Sequence, residues 1–269
     1  MRDTDSDRSH EQAARALANA RCVAALTGAG ISAESGVPTF RDSQTGLWAR
    51  FDPLQLATPT AFENDPKLVW DWYAWRRELV AGVKPNPAHY ALAEIERAVP
   101  ECMVITQNVD GLHRRAGSRK LIELHGNIAR VKCSREGTVV ERWDSAGDEV
   151  PRCAACGALL RPDVVWFEEM LAPEAIDAAE SMARRCDLML VIGTSGEVYP
   201  AAALPSLAKA CGALVVEINL SATTLSASAD YCLRGPAGTI LPALVNDAWP
   251  DASSIVATPR GRRSPPRPA

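Results

Sequence analysis

Cys22-Val-Ala-Ala-Leu-Thr-Gly-Ala-Gly-Ile-Ser32 is a short apolar run that ends in two glycines one residue apart. Residues 22–27 have the small and branched composition of a strand buried on both faces of a parallel sheet. Gly28 and Gly30 then allow a tight turn and a close backbone approach to a bound pyrophosphate. A helix starting there would turn its free N–H groups to the negative charge. In isolation the loop fits an ordinary strand-to-helix turn equally well. Gly36, six residues after Gly30, is misplaced for the third glycine of the common dinucleotide fingerprint, which disfavours a standard dehydrogenase.

Outward from this stretch, the pattern predicts further strands at 103–107, 121–124, 188–193 and 214–219. Helices are predicted at 11–19, 67–80, 87–98, 173–184 and 201–210. Several of them begin with proline, which suits the first helical turn. Alternation of this kind implies an α/β fold, a doubly wound parallel sheet of Rossmann-like form. Two segments break the rhythm. Residues 42–82 carry Trp48, Trp70, Trp72, Tyr73 and Trp75 in a mostly helical pattern, and residues 131–160 are polar with three cysteines. They read as insertions that together form a smaller helical and zinc-ribbon-like module. The core then comprises about 11–41, 83–130 and 161–249, with residues 1–10 and the Pro- and Arg-rich residues 250–269 disordered.

The formal net charge of -4 does not suggest a general nucleic-acid-binding surface. No stretch reaches the roughly 20 apolar residues needed to cross a bilayer. The polar N-terminus does not read as a secretory signal, so a reducing cytoplasm is the expected compartment, with the eight cysteines as thiols or metal ligands.

Further motifs follow the glycine loop in order. Gly28-Ala-Gly-Ile-Ser-Ala-Glu-Ser-Gly-Val-Pro-Thr-Phe-Arg41-Asp42 resembles the NAD-binding signature of the sirtuin family. Thr106-Gln-Asn-Val-Asp-Gly-Leu-His113, Glu123-Leu-His-Gly-Asn127, Arg161-Pro-Asp-Val-Val-Trp-Phe167, Gly193-Thr-Ser195 and Glu217-Ile-Asn219 extend the match. The resemblance covers roughly Glu11 to Ala248. It implies an NAD-dependent lysine deacylase, in which the acyl oxygen attacks the nicotinamide ribose and expels nicotinamide. A histidine then acts as base on a ribose hydroxyl, and the reaction ends in O-acyl-ADP-ribose and free lysine.

By the same resemblance His125 is the general base, a role that suits imidazole at neutral pH. His10 and His89 read as structural, and His113 belongs to a matched motif without being the base. The implied NAD contacts are Gly28, Ala29, Gly30, Ser32, Phe40, Arg41, Gln107, Asn108, Asp110, Gly193, Thr194, Ser195, Asn219 and Ala237. Residues 164–167, with Val165 and Phe167, resemble the strand that pairs with an acylated-lysine peptide. Two positions depart from the family: Glu168 replaces a glycine, and Gly196-Glu197 is atypical.

Tyr73 and Arg76 lie three apart on a helix and so project from nearly one face. They fit either a core tyrosine beside a surface arginine or a phenol and guanidinium converging on a carboxylate. The pair resembles the Tyr-x-x-Arg motif of the sirtuin class that includes desuccinylases, implying recognition of a succinyl or malonyl group alongside acetyl. A protein mono-ADP-ribosyltransferase sharing the NAD site is the alternative activity.

Cys153-Ala-Ala-Cys156 has zinc-knuckle spacing, and Cys133 lies where a first pair would begin, with Glu136 at the second position of that pair. The readings are a structural zinc held by Cys133, Cys153 and Cys156 and completed by Glu136 or water, a weak site, or no metal.

Overall fold

The computed structural model describes residues 3–38, 52–140, 142–143 and 149–250. Phe40 and Arg41 therefore lie outside the described residues, as do residues 251–269 of the tail. Helix α1 (Asp3–Asn19) leads to β1 (Cys22–Thr27), a 3-10 helix (Ala29–Ser35), and α2 (Pro53–Leu56), α3 (Pro59–Asn64) and α4 (Pro66–Gly82). Then come α5 (Pro87–Ala98), β2 (Glu101–Thr106), α6 (Leu112–Ala116), β3 (Leu121–Glu123), β4 (Gly126–Cys133), β5 (Val139–Val140) and β6 (Leu160–Val164). The chain closes with α7 (Pro173–Arg185), β7 (Leu188–Ile192), α8 (Leu204–Ala210), β8 (Leu214–Asn219), β9 (Tyr231–Arg234) and α9 (Ala237–Ala248).

The main sheet is parallel throughout, in the order β3-β2-β1-β7-β8-β9. The topology reverses direction between β1 and β7, the switch point where open α/β sheets bind ligands beyond the carboxyl ends of their strands. Alternation along β1 decides which helices cover which face. Val23 and Ala25 pack with Leu17, Leu92, Ile95, Leu241 and Leu244 from α1, α5 and α9. Ala24 and Leu26 point the other way, to Met182 and Ala183 of α7 and Leu204 of α8. Burial on both faces explains why β1 and β7 read as nearly continuous apolar runs.

The second body is an antiparallel sheet, β5-β4-β6, packed against α4. Trp72 and Tyr73 of α4 pack with Phe62, Ile128, Val164 and Trp166. Trp70 instead joins Cys133, Cys153, Val131 and Leu160. The prolines act as expected: Pro59, Pro66, Pro87 and Pro173 each stand in a first turn, and Thr58, Asp65 and Asn86 cap the first three of these helices.

Two local expectations change. Helix α1 starts at Asp3, inside the segment read as disordered. His10 Nε2 lies 3.0 Å from Asp247 Oδ2 on α9, which ties this helix to the core. The element after the glycine loop is a 3-10 helix, which Gly36 ends in the left-handed conformation at φ +85°. Among the described residues, no helix is long and apolar enough to cross a membrane.

Candidate active site

The crevice at the switch point is built by backbone meeting backbone. Gly28 N–H donates to the Ile192 carbonyl at 3.0 Å, and Gly30 N–H to the Gly193 carbonyl at 2.8 Å. A Cβ on Gly28 would come within 2.8 Å of the Gly193 carbonyl oxygen, and one on Gly193 within 2.4 Å of Ile31 N. Gly28 and Gly30 are thus needed for the loop to seat against the end of β7, a reason the sequence alone does not expose. Ala29 opens the 3-10 helix beside them.

Beneath the loop lies a buried polar network. Ser32 Oγ donates to Asp110 Oδ2 at 2.7 Å and accepts from Asn108 Nδ2 at 3.1 Å. Asp110 also accepts from Leu112 N–H at 2.8 Å. Burial nevertheless raises its carboxyl above the usual range, against the pull of Leu112 N–H and Ser32. His89 Nδ1 accepts from Asn86 N–H, so its Nε2 donates to Ser32 Oγ at 3.3 Å. Thr27 Oγ1 donates to Thr106 Oγ1 at 2.8 Å and accepts from His113 Nε2 at 2.9 Å. His89 and His113 both stand within this buried network. Burial pushes them down to about 4 and about 3, so both are neutral. Thr27 and Thr106 lie in the quoted motifs without an assigned role; each is a hydroxyl that ends an apolar strand.

The far wall comes from the ends of β2, β7 and β8. Gln107 Nε2 donates to Thr194 Oγ1 at 3.0 Å, and Asn219 Nδ2 to the Thr194 carbonyl at 2.9 Å. Ser195 follows, half-buried. Ala237 begins α9, and the N–H of its neighbour Gly238 donates to Glu34 Oε2 at 2.6 Å. Glu34 therefore ties the start of α9, where Ala237 lies, to the 3-10 helix.

His125 stands just past β3, where Gly126 turns the chain into β4. A Cβ at Gly126 would sit 2.2 Å from the Asp163 carbonyl oxygen, at φ +81°. His125 Nδ1 donates to the Gln107 carbonyl at 2.9 Å, which leaves Nε2 as the acceptor of a neutral ring. Burial holds the imidazole below the ordinary histidine range, opposed by the Gln107 contact.

The His125 carbonyl accepts Val165 N–H at 2.9 Å, and the Ala57 carbonyl accepts Phe167 N–H at 3.0 Å. The segment after β6 is pinned on one side, and Phe167 is exposed. A clamp that no motif signals holds its end: Arg161 donates from Nη1 and Nη2 to Glu169 at 2.5 and 2.8 Å and stacks 3.3 Å from the Trp166 ring centroid. Glu168 has φ +71°, the region where glycine is favoured.

Tyr73 is 1% exposed, and its hydroxyl accepts from Trp166 Nε1 at 3.0 Å, leaving its own proton to donate. Burial drives the phenol well above its usual range, while the nearby Arg76 guanidinium pulls it down. Arg76 is lowered by burial, with its guanidinium 5.1 Å from the Trp72 ring centroid. The two side chains are brought together, in a core that reaches Trp166 beside Phe167.

The sulfurs of Cys133, Cys153 and Cys156 lie within 4.8 Å of one another, and the Glu136 carboxylate is outside that group. All eight cysteines are free of disulfides.

A parallel sheet with a glycine-lined switch-point crevice and a cysteine-bearing insert defines a dinucleotide-binding type of α/β enzyme. The Sir2 family profile matches residues 28–200. A protein of Pyrococcus furiosus named NAD-dependent protein deacylase is 51% identical over 244 residues, which span 88% of this chain and 96% of that relative. A solved Sir2 homolog–NAD complex is 48% identical with a TM-score of 0.84, covering 88% of this chain and 93% of its own. A Sir2 protein bound to a myristoylated histone peptide is 34% identical with a TM-score of 0.73, covering 92% and 99%. The chain belongs to the Sir2 family, the sirtuins.

Proposed function

We propose that this NAD-dependent protein deacylase of the Sir2 family uses His125 as its general base, on acyl-lysine proteins or peptides. The observation that carries the reading is the double role of His125. Its Nδ1 is fixed by the Gln107 carbonyl, so Nε2 is free to take a proton. Its own carbonyl holds Val165 of the segment that would receive the peptide and that ends in the exposed Phe167. Base and substrate edge are therefore joined through one residue, the placement that proton transfer at a bound substrate requires.

The crevice fits NAD: the glycine approach closes it tightly, and hydroxyl, amide and carboxylate groups line it. Bound NAD would supply a ribose carbon open to attack and nicotinamide as leaving group. Gly28, Ala29, Gly30, Ser32, Gly193, Thr194 and Ser195 would hold the phosphate side. Gln107, Asn108 and Asp110 would hold the nicotinamide ribose, and Asn219 and Ala237 the adenosine. Phe40 and Arg41 join this set from outside the described residues. The thiols of Cys133, Cys153 and Cys156 form a soft donor set that suits zinc, which would cross-link the small module. Free thiols of this kind fit a cytoplasmic setting.

For the acyl group, Tyr73 and Arg76 favour succinyl or malonyl. The phenol can donate to a carboxylate while accepting from Trp166, and the guanidinium supplies the charge. The test is NAD-dependent nicotinamide release on matched acetyl-, malonyl- and succinyl-lysine peptides. Removing one partner of a buried charge pair costs about 2–5 kcal/mol. Arg76→Met should thus lower desuccinylation more than tenfold and spare deacetylation. Equal loss of both would overturn the acyl assignment, and ADP-ribose left on protein would favour the transferase.

A further inference from the structure

The cysteine module contains the same turn twice. In the first, Gly137 N–H donates to the Cys133 carbonyl at 2.9 Å, and Cys133 N–H to the Thr138 carbonyl at 2.9 Å. In the second, Gly157 N–H donates to the Cys153 carbonyl at 2.8 Å, and Cys153 N–H to the Ala158 carbonyl at 2.7 Å. Gly137 and Gly157 share the left-handed conformation, at φ +69° and +74°. This equivalence puts Glu136 in the place that Cys156 holds in the second turn. The two turns face each other, with Cys133 Sγ and Cys156 Sγ 3.4 Å apart.

Covalent geometry decides what Glu136 does there. A cysteine sulfur is one bond beyond Cβ, whereas a glutamate carboxylate oxygen is three bonds beyond it. With the backbone fixed by the same hydrogen bonds, an extended carboxylate overreaches the point where a fourth sulfur would sit. The Glu136 side chain is exposed, and its carboxylate stands outside the group of three thiols. Its backbone N–H instead points to the Cys133 sulfur, together with that of Arg135. Ordering a long side chain back onto the metal would also cost rotamer entropy of up to about 2 kcal/mol.

We infer that zinc in this module has three thiolate ligands and a fourth, solvent-facing position that an exchangeable ligand fills, with Glu136 not coordinated. Water takes that position in plain buffer, and a small thiol displaces it as thiolate, giving its proton and the freed water to solvent. The surroundings favour an anion: Arg135 Nη1 reaches the Cys156 carbonyl at 3.4 Å, and Arg152 Nη1 the Gly157 carbonyl at 3.0 Å. This concerns the metal alone and does not depend on deacylase activity.

The experiment loads the full chain with Co²⁺ and follows thiolate-to-metal charge-transfer absorption on adding 2-mercaptoethanol. The absorption should rise by about one third, as three sulfur ligands become four. Glu136→Ala should match the parent in spectrum and in zinc affinity by chelator competition. Glu136→Cys should show the four-sulfur spectrum without added thiol, fail to respond to it, and bind zinc at least about tenfold more tightly. A changed spectrum or a tenfold loss of zinc affinity in Glu136→Ala would make Glu136 a ligand and overturn the inference. So would silence of the parent towards thiol, or failure of all three proteins to retain metal.

Discussion

The glycine crevice and the thiol turns both rely on tight turns beside strands, yet different things hold them. In the crevice, Gly28, Gly30 and Gly193 press backbone on backbone, and a methyl group on any of them has no room. In the small module, Gly137 and Gly157 face open space, with no atom within 4 Å of a built Cβ. Their turns are joined by three convergent thiols. One site is formed by the fold itself; the other is left for a ligand to finish. Glycine therefore means close approach in the first region and only a left-handed backbone in the second.

Alanine substitutions break this comparison most forcefully. Gly193→Ala collides with the 3-10 helix at φ +59° and should destabilise by more than about 4 kcal/mol or prevent folding. Gly157→Ala meets only the left-handed penalty and should cost about 1–2 kcal/mol. Chemical denaturation of the two variants gives the ratio. Similar costs would remove the distinction.

Acid should strike the crevice side, because that is where neutral imidazoles are buried. His89 and His113 sit at about 4 and about 3 in the fold, below the ordinary value of 6.5. Between those values the unfolded chain takes up protons that the fold refuses. Their stability contribution is thus complete above pH 6.5, falls as the pH drops towards 4, and levels off below 3. By pH 4 each histidine should account for roughly 3 kcal/mol of the loss. His113→Gln should flatten the decline in urea midpoints measured from pH 7 to 4; an unchanged slope would contradict the assignment.

The smallest effect concerns Glu168, which adopts φ +71° without being glycine. Glu168→Gly should raise stability by about 1 kcal/mol, read as a higher Tm. A lower Tm would mean that the glutamate makes a stabilising contact outweighing its backbone strain.

Much of the core was legible because β1, β7 and β8 are buried on both faces, and such strands announce themselves as apolar runs. β9 was not, since Tyr231-Cys-Leu-Arg234 is a short run with a charged end. The small sheet was hidden for a similar reason: Leu160-Arg-Pro-Asp-Val164 is a strand whose arginine is buried by pairing with Glu169 rather than by apolar neighbours. At the site, ordered motifs pointed to His125, Asn108 and Asp110. They could not disclose that Gln107 fixes the His125 tautomer, that Glu34 caps α9, or that Arg161 and Glu169 hold the segment carrying Phe167. Those contacts join residues through the fold, and no spacing encodes them. Tyr73 shows the converse, because a motif residue also proves to be a core residue.

The most direct test of the base assignment follows succinyl-lysine peptide and NAD in the parent protein and in His125→Tyr, with nicotinamide and O-acyl-ADP-ribose both quantified. Thermal unfolding of each protein confirms that both are folded. The parent should form the two products in equal amounts, and the variant should lose O-acyl-ADP-ribose formation by at least about a hundredfold. A folded variant that still forms O-acyl-ADP-ribose at the parent rate would show that His125 is not the base.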